Sequence, residues 1–248
     1  MDMNAINSSA KAIKEKLSWS DEPVGVILGS GLGSFVDELQ DQEIVPYTEI
    51  PNFSQTTVVG HSGELVKGTI NGRTVLAMKG RFHIYEGHPV QSVVLPIRVL
   101  AKLGCKKIGI HRRSFKNFNE FSQSIDLIKS YNCIPGIFID VYEEINEELL
   151  NLIKEKKINW IILMGVPVGF GGQPFDTNVF GKLVALRNFS SSHNLNIKLE
   201  IDGGLSFENI KLCKTLGANY LSGWSIINSQ TLDALNKRIK KLQNILNS

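Results

Sequence analysis

The strongest constraint on the fold is a rhythm in the second half of the chain, where short apolar runs alternate with stretches of helical spacing. Gly136-Ile137-Phe138-Ile139, Trp160-Ile161-Ile162-Leu163-Met164, residues 197–201 and Tyr220-Leu221 read as strands. Residues 118–130, 147–156, 178–189, 207–216 and 232–246 read as the helices between and after them. Strict alternation of this kind predicts parallel βα units, because a parallel neighbour needs a crossover. Glycine-bearing segments follow these strands, where such folds place their ligands.

The first half is more irregular. Ile6, Ala10, Ile13 and Leu17 recur on one side of a predicted helix at 5–17. Val24-Gly25-Val26-Ile27-Leu28 predicts a buried strand running into Gly29-Ser30-Gly31-Leu32-Gly33. Val58-Val59, residues 65–68 and residues 75–78 suggest further strands, with Asn71-Gly72 as a hairpin turn. A helix at 90–103 and a strand at 106–110 complete this half.

With 248 residues and 42% hydrophobic content, the chain can bury one large core or two modest ones. Charged residues at 21% and a net charge of +3 fit a globular protein and exclude a disordered one. Lys237-Arg238-Ile239-Lys240-Lys241 interleaves with apolar residues at helical spacing, which predicts the solvated face of a terminal helix. With no basic patch interleaved with aromatics, no nucleic-acid partner is expected. Cys105, Cys133 and Cys213 are too few and too scattered for a disulfide framework or a cysteine zinc site. No run approaches the ~20 apolar residues of a bilayer span, and the N-terminus is polar. No membrane partner and a cytoplasmic location are the resulting expectations.

Two clusters in the first half carry chemistry. Glycines at 29, 31 and 33 permit a tight turn whose backbone N–H groups approach an anion, and Ser30 adds a hydroxyl. No Gly-Lys-Ser/Thr ending follows, so this is not a Walker A loop; an ordinary chain turn is the competing reading. Arg81-Phe82-His83-Ile84-Tyr85-Glu86-Gly87-His88 packs a guanidinium, two imidazoles, a phenol and a carboxylate into eight residues. Arg81 could fork onto phosphate oxygens and His83 could donate to an oxyanion, against the alternative of a plain polar loop. His61 lies in a tight polar turn, Gly60-His61-Ser62-Gly63.

Together with the stretch from Val59 to Gly68, these motifs make residues 1–108 resemble the N-terminal part of the trimeric purine nucleoside phosphorylases. The resemblance implies that Ser30, Arg81 and His83 hold phosphate, that His61 lies near phosphate and ribose, and that Tyr85 contacts ribose. The chain departs from that family after the strand ending near residue 110. There His111-Arg112-Arg113-Ser114-Phe115 replaces the family's Asn-Ala-Ala-Gly-Gly segment, and the purine-binding glutamate and asparagine have no counterpart.

In the second half, three strand ends carry small polar loops: residues 165–173, Asp202-Gly203-Gly204 and Gly223-Trp224-Ser225. Their N–H groups could cradle a sugar phosphate; taken singly, each is an ordinary βα turn. These loops make residues 108–230 resemble the C-terminal part of the ribulose-phosphate 3-epimerases, a (β/α)8-barrel family. That resemblance implies phosphate contacts from Gly169, Gly171, Gly172, Gly203, Gly204, Gly223 and Ser225. It also implies that Asp202 is one of two proton-transferring carboxylates and a ligand of a divalent metal (Zn, Mg, Mn or Fe). Epimerisation beside a ketone needs one group to take the proton and a second to return it. Asp202 can fill one role, and the family's other aspartate, metal-binding histidines and early serine belong to strands that this chain lacks.

The expectation is therefore an α/β protein: a phosphorylase-like N-terminal sheet segment (1–108) joined to a partial (β/α)8-barrel of about five βα units (109–248). Its expected function is binding of a small-molecule phosphate or sugar phosphate in the epimerase manner, with an incomplete catalytic set and, if active, pentose-phosphate 3-epimerase activity. Phosphorolysis of purine nucleosides and a non-enzymatic fusion that only binds phosphate are the alternatives. Open sheet edges in a part-barrel raise the expectation of a homo-oligomer.

Overall fold

The computed structural model describes residues 3–28, 33–54, 62–82, 87–169, 172–229 and 231–247. The chain divides into two compact units, Met1–Lys106 and Lys107–Ser248.

The first unit holds helix α1 (Met3–Lys16), strands β1 (Val24–Leu28), β2 (Gln40–Pro46), β3 (Glu64–Ile70) and β4 (Arg73–Lys79), and helix α2 (Val90–Lys102). The strand order is β1-β4-β3-β2. β1 runs parallel to β4, whereas β2 and β3 are antiparallel to their neighbours. Asn71 (φ 50°) and Gly72 (φ 72°) turn β3 into β4, the left-handed pair that a two-residue hairpin requires. β2 was not foreseen; its sequence Gln-Asp-Gln-Glu-Ile-Val-Pro is polar because it is an edge strand with few buried positions. Leu76 and Ala77 of β4 are fully buried, as are Ile6 and Ile13 of α1.

The second unit is a βα series: β5 (Lys107–His111), α3 (Phe118–Ser130), β6 (Ile134–Ile139), α4 (Glu147–Lys154), β7 (Trp160–Met164), α5 (Asn178–Ser192), β8 (Lys198–Asp202), α6 (Ile210–Thr215), β9 (Tyr220–Ser222), α7 (Trp224–Ile227) and α8 (Leu232–Asn247). Its five strands pair in sequence order, all parallel. Local chemistry starts the helices: the Asn117 side chain accepts from Glu120 N (2.9 Å) and Asn146 from Leu149 N (3.1 Å). The helix-covered face of the sheet is dry. Ile137, Ile139, Ile161, Leu163, Leu199 and Ile201 have no exposed surface and pack with Phe121, Ile125, Leu149, Val179 and Leu183.

The opposite face alternates in composition, with Trp160, Lys198, Glu200 and Asp202 at the intervening positions. It is also strongly curled. Lys107 Nζ on the first strand lies 5.2 Å from the ring centres of both Trp160 on the third and Tyr220 on the fifth. Four strand spacings laid flat would separate β5 from β9 by about 19 Å, so the sheet bends as a barrel wall does. The architecture is thus a mixed sheet segment followed by a partial barrel of five βα strands. No helix among the described residues is long and apolar enough to cross a membrane.

Candidate functional site

In the first unit, strand polarity gathers the sequence motifs at one end of the sheet. β1 and β4 are parallel with Leu28 opposite Lys79, and antiparallel β3 begins with Glu64 opposite the same Lys79. Leu28 before the glycine motif, Glu64 after the Gly60–Gly63 motif and Gly80 before Arg81 therefore lie together at the Lys79 end of the sheet. Backbone bonds fix this end. Gly63 N donates to Lys79 O (3.1 Å), Gly63 O accepts from Tyr47 N (2.8 Å), and Ser62 Oγ donates to Lys79 O (3.4 Å). The hydroxyl of Tyr47, whose residue is 1% exposed, donates to Gly80 O at 2.7 Å. Tyr47, Phe53 and Phe82 pack edge to face beneath the turn at centroid distances of 5.5–6.1 Å, and His88 packs on Phe82 at 5.5 Å. Burial, then the Glu64 charge, push the Tyr47 phenol far above its usual range, so it stays a proton donor.

Of the phosphate and ribose residues expected in this half, Arg81 follows Gly80 at this end of the sheet. Ser30, His61, His83 and Tyr85 lie outside the described residues. Sequence reading passed over Lys79, the last residue of β4, whose position is visible only once the strands are paired.

In the second unit, a cavity of about 740 Å³ opens at the C-terminal ends of β7, β8 and β9. Asp202, Gly172, Gly203, Gly204 and Ser225 line it; Gly171 lies outside the described residues. Gly169 is exposed and Gly223 packs against Leu205, and neither lines the cavity. The Asp-Gly-Gly turn requires its glycines: φ is +91° at Gly203 and +65° at Gly204, and a Cβ at Gly204 would stand 2.8 Å from Phe175 Cα. Burial, then the charge of Glu200, push the Asp202 carboxyl above the usual carboxylate range. Glu200 itself accepts from Trp160 Nε1 (2.9 Å) and Ser222 Oγ (2.5 Å).

Arg238 also lines this cavity, contrary to the solvated helix face expected of residues 237–241. It donates to Ile226 O (2.9 Å) and Ser225 O (3.0 Å). Helical spacing alone cannot distinguish a free basic face from one whose arginine turns back over a loop.

The second carboxylate at these strand ends, Asp140, is 6% exposed and is held by Arg113 Nη1 at 2.6 Å. Burial works to raise its pKa, but Arg113 and the N–H groups of Tyr142 and Val168 outweigh it and the net shift is downward. Lys182 Nζ closes the cluster by donating to Asp140 O (2.6 Å) and Glu143 O (2.5 Å). His111 stacks on Phe138 at 4.5 Å; burial, then Arg113, lower its pKa and favour the neutral ring.

Asp140 is thus a salt-bridged anion, whereas Asp202 lines the cavity together with Glu208. Asp202 brings one carboxylate, and among the described residues no group of three or more His, Cys, Asp or Glu could hold an ion.

Comparison with known proteins places the two halves differently. Residues 23–109 match the phosphorylase superfamily model and residues 82–227 match the ribulose-phosphate 3 epimerase family model. The purine nucleoside phosphorylase 1 of Geobacillus stearothermophilus is 45% identical over 108 residues, 44% of this chain and 39% of that protein. The purine nucleoside phosphorylase of Rattus norvegicus is 51% identical over 114 residues, 46% of this chain and 39% of that protein. The chain thus aligns with about two fifths of the length of these relatives. A crystal structure of the Schistosoma mansoni enzyme with acetate aligns with 99% of this chain and 96% of its own at 24% identity, but with a TM-score of 0.41.

These relatives correct the functional expectation. An epimerase-type sugar-phosphate protein, and pentose-phosphate 3-epimerase as its activity, are overturned by curated relatives that are purine nucleoside phosphorylases. The geometry agrees with this: Asp140 is locked by Arg113 and is not among the residues lining the cavity with Asp202. By its match over residues 82–227, more than half its length, the chain belongs to the ribulose-phosphate 3 epimerase family, with a phosphorylase-superfamily segment at residues 23–109.

Proposed function

We propose that the protein works on purine nucleosides with orthophosphate, in the manner of the purine nucleoside phosphorylases, and that its first unit supplies the phosphate site. The observation that carries this reading is that the described residues flanking the three motifs, Leu28, Glu64 and Lys79, pair at one end of one sheet, within the segment that is 45% identical to a phosphorylase. In such a reaction a phosphate oxygen attacks the anomeric carbon, the glycosidic C–N bond breaks, and the purine leaves with a proton. Arg81 would fork onto the phosphate, with Ser30 and His83 as further donors and His61 and Tyr85 toward the ribose. Tyr47 and Gly63 hold the turn from which Arg81 departs.

A second reading, phosphate binding without turnover, is favoured by one observation. At Lys107 the chain enters a parallel βα series instead of the purine side of a phosphorylase. One assay separates the two. The whole chain is incubated with inosine and orthophosphate, hypoxanthine and ribose 1-phosphate are quantified, and phosphate binding is measured in parallel. Phosphate-dependent release of hypoxanthine supports the first reading. Binding without release leaves the second, and absence of both refutes each.

A further inference from the structure

Among the described residues of the first unit, Lys79 stands beside the residues that flank all three motifs. It ends β4, directly opposite Leu28, the last residue before the glycine turn, and directly opposite Glu64, the first residue after the Gly60–Gly63 turn. Its own carbonyl receives Gly63 N and Ser62 Oγ, and the chain continues into Gly80 and Arg81. The side chain also lies near Gly33, because a methyl group added there would meet Lys79 Cε at 3.8 Å. Residues 28 and 33, which flank the glycine motif in sequence, are thus both neighbours of one lysine.

The electrostatics of this lysine are unfinished. Its carboxylate neighbour, Glu64, stands 3.8 Å from Nζ, at the long limit of an ion pair, and both side chains are about one third exposed. A direct charge-assisted hydrogen bond is shorter, about 2.8 Å. At 3.8 Å the ammonium keeps donors available for another acceptor while Glu64 limits the local excess of positive charge.

We infer that Lys79 is a phosphate-binding residue. It supplies, with Arg81, the second positive charge of a site for a tetrahedral dianion, either orthophosphate or the phosphate of a sugar 1-phosphate. The inference rests on the phosphorylase-type reading of this unit and adds a residue to it. A lysine serves as a point charge toward phosphate, where an arginine forks onto its oxygens.

The test titrates the full chain with orthophosphate, sulfate and ribose 1-phosphate by calorimetry, in the wild type and in Lys79→Met, Lys79→Arg and Glu64→Gln. Lys79→Met is expected to weaken the binding of all three ligands about tenfold or more, and Lys79→Arg to retain it within about threefold. Glu64→Gln, which removes the competing carboxylate, is expected to tighten it. A lysine that merely pairs with Glu64 would give another pattern, with both neutralising variants lowering stability and leaving affinity alike. Equal affinity in the wild type and Lys79→Met therefore overturns the inference while the phosphate-site reading stands. A wild-type chain that binds none of the three ligands overturns both. If only ribose 1-phosphate binds, the source of the anion is the sugar phosphate and the role of Lys79 is judged on that ligand.

Discussion

Replacing Tyr47 by Phe tests whether the turn before Arg81 is held by a single buried hydroxyl. The ring is 1% exposed and packs edge to face on Phe53 and Phe82, and a phenylalanine keeps those contacts. What disappears is the 2.7 Å bond to Gly80 O. A bond of this kind contributes about 1 kcal/mol net, and stranding its buried acceptor costs about as much again, so a loss of roughly 1–2 kcal/mol is expected. In urea unfolding this lowers the midpoint by roughly 0.5 M with an unchanged slope. The pH dependence adds a second signature. Burial raises the folded-state phenol above its unfolded value of about 10, so the unfolded chain releases this proton first. The wild type therefore loses stability above pH 10 at up to about 1.4 kcal/mol per pH unit, a loss that Tyr47→Phe does not share. The gap between the two should narrow as pH rises through 10. An unchanged midpoint, or a gap that is constant with pH, refutes the hydroxyl as the pin of this turn.

Three further outcomes follow from the second unit. A Cβ at Gly136 would meet the Trp160 ring at 2.4 Å, so Gly136→Ala should destabilise by about 1–3 kcal/mol in denaturant titrations, and Trp160→Leu in the same chain should recover most of it. Asp202→Asn should raise stability at neutral pH, because the folded carboxyl is held above its unfolded value and its charged form is penalised there; the gain should vanish as pH falls below about 3.8, where both states are protonated. Arg187 donates to Gly217 O (2.7 Å), Ile197 O (3.1 Å) and the Asn219 side chain, so Arg187→Met should cost about 2–4 kcal/mol, measured by thermal or urea unfolding.

Much of the fold was legible in local chemistry. Apolar runs such as Trp160-Ile161-Ile162-Leu163-Met164 bury on the dry face of a parallel sheet, and Asn71-Gly72 can adopt the two left-handed conformations that a tight hairpin needs. The glycine motifs were legible for the same reason, since a turn that places positive φ at Gly203 and Gly204 restricts its own sequence. Partnership was not legible, because it depends on which strands lie side by side. Nothing in the run Arg-Thr-Val-Leu-Ala-Met-Lys announces that its final lysine stands opposite both Leu28 and Glu64. The same holds for β2, whose polar sequence becomes a strand only by pairing with β3, and for Arg238, which left a predicted solvent face to line a cavity. It holds also for Asp140 and Asp202, two strand-end aspartates that the sequence cannot rank. Sequence sets periodicity and backbone freedom, which are local. Pairing, burial and the charge on a carboxyl are set by groups distant along the chain, and the tertiary structure alone brings Arg113 to Asp140 and leaves Asp202 half-buried beside Glu200.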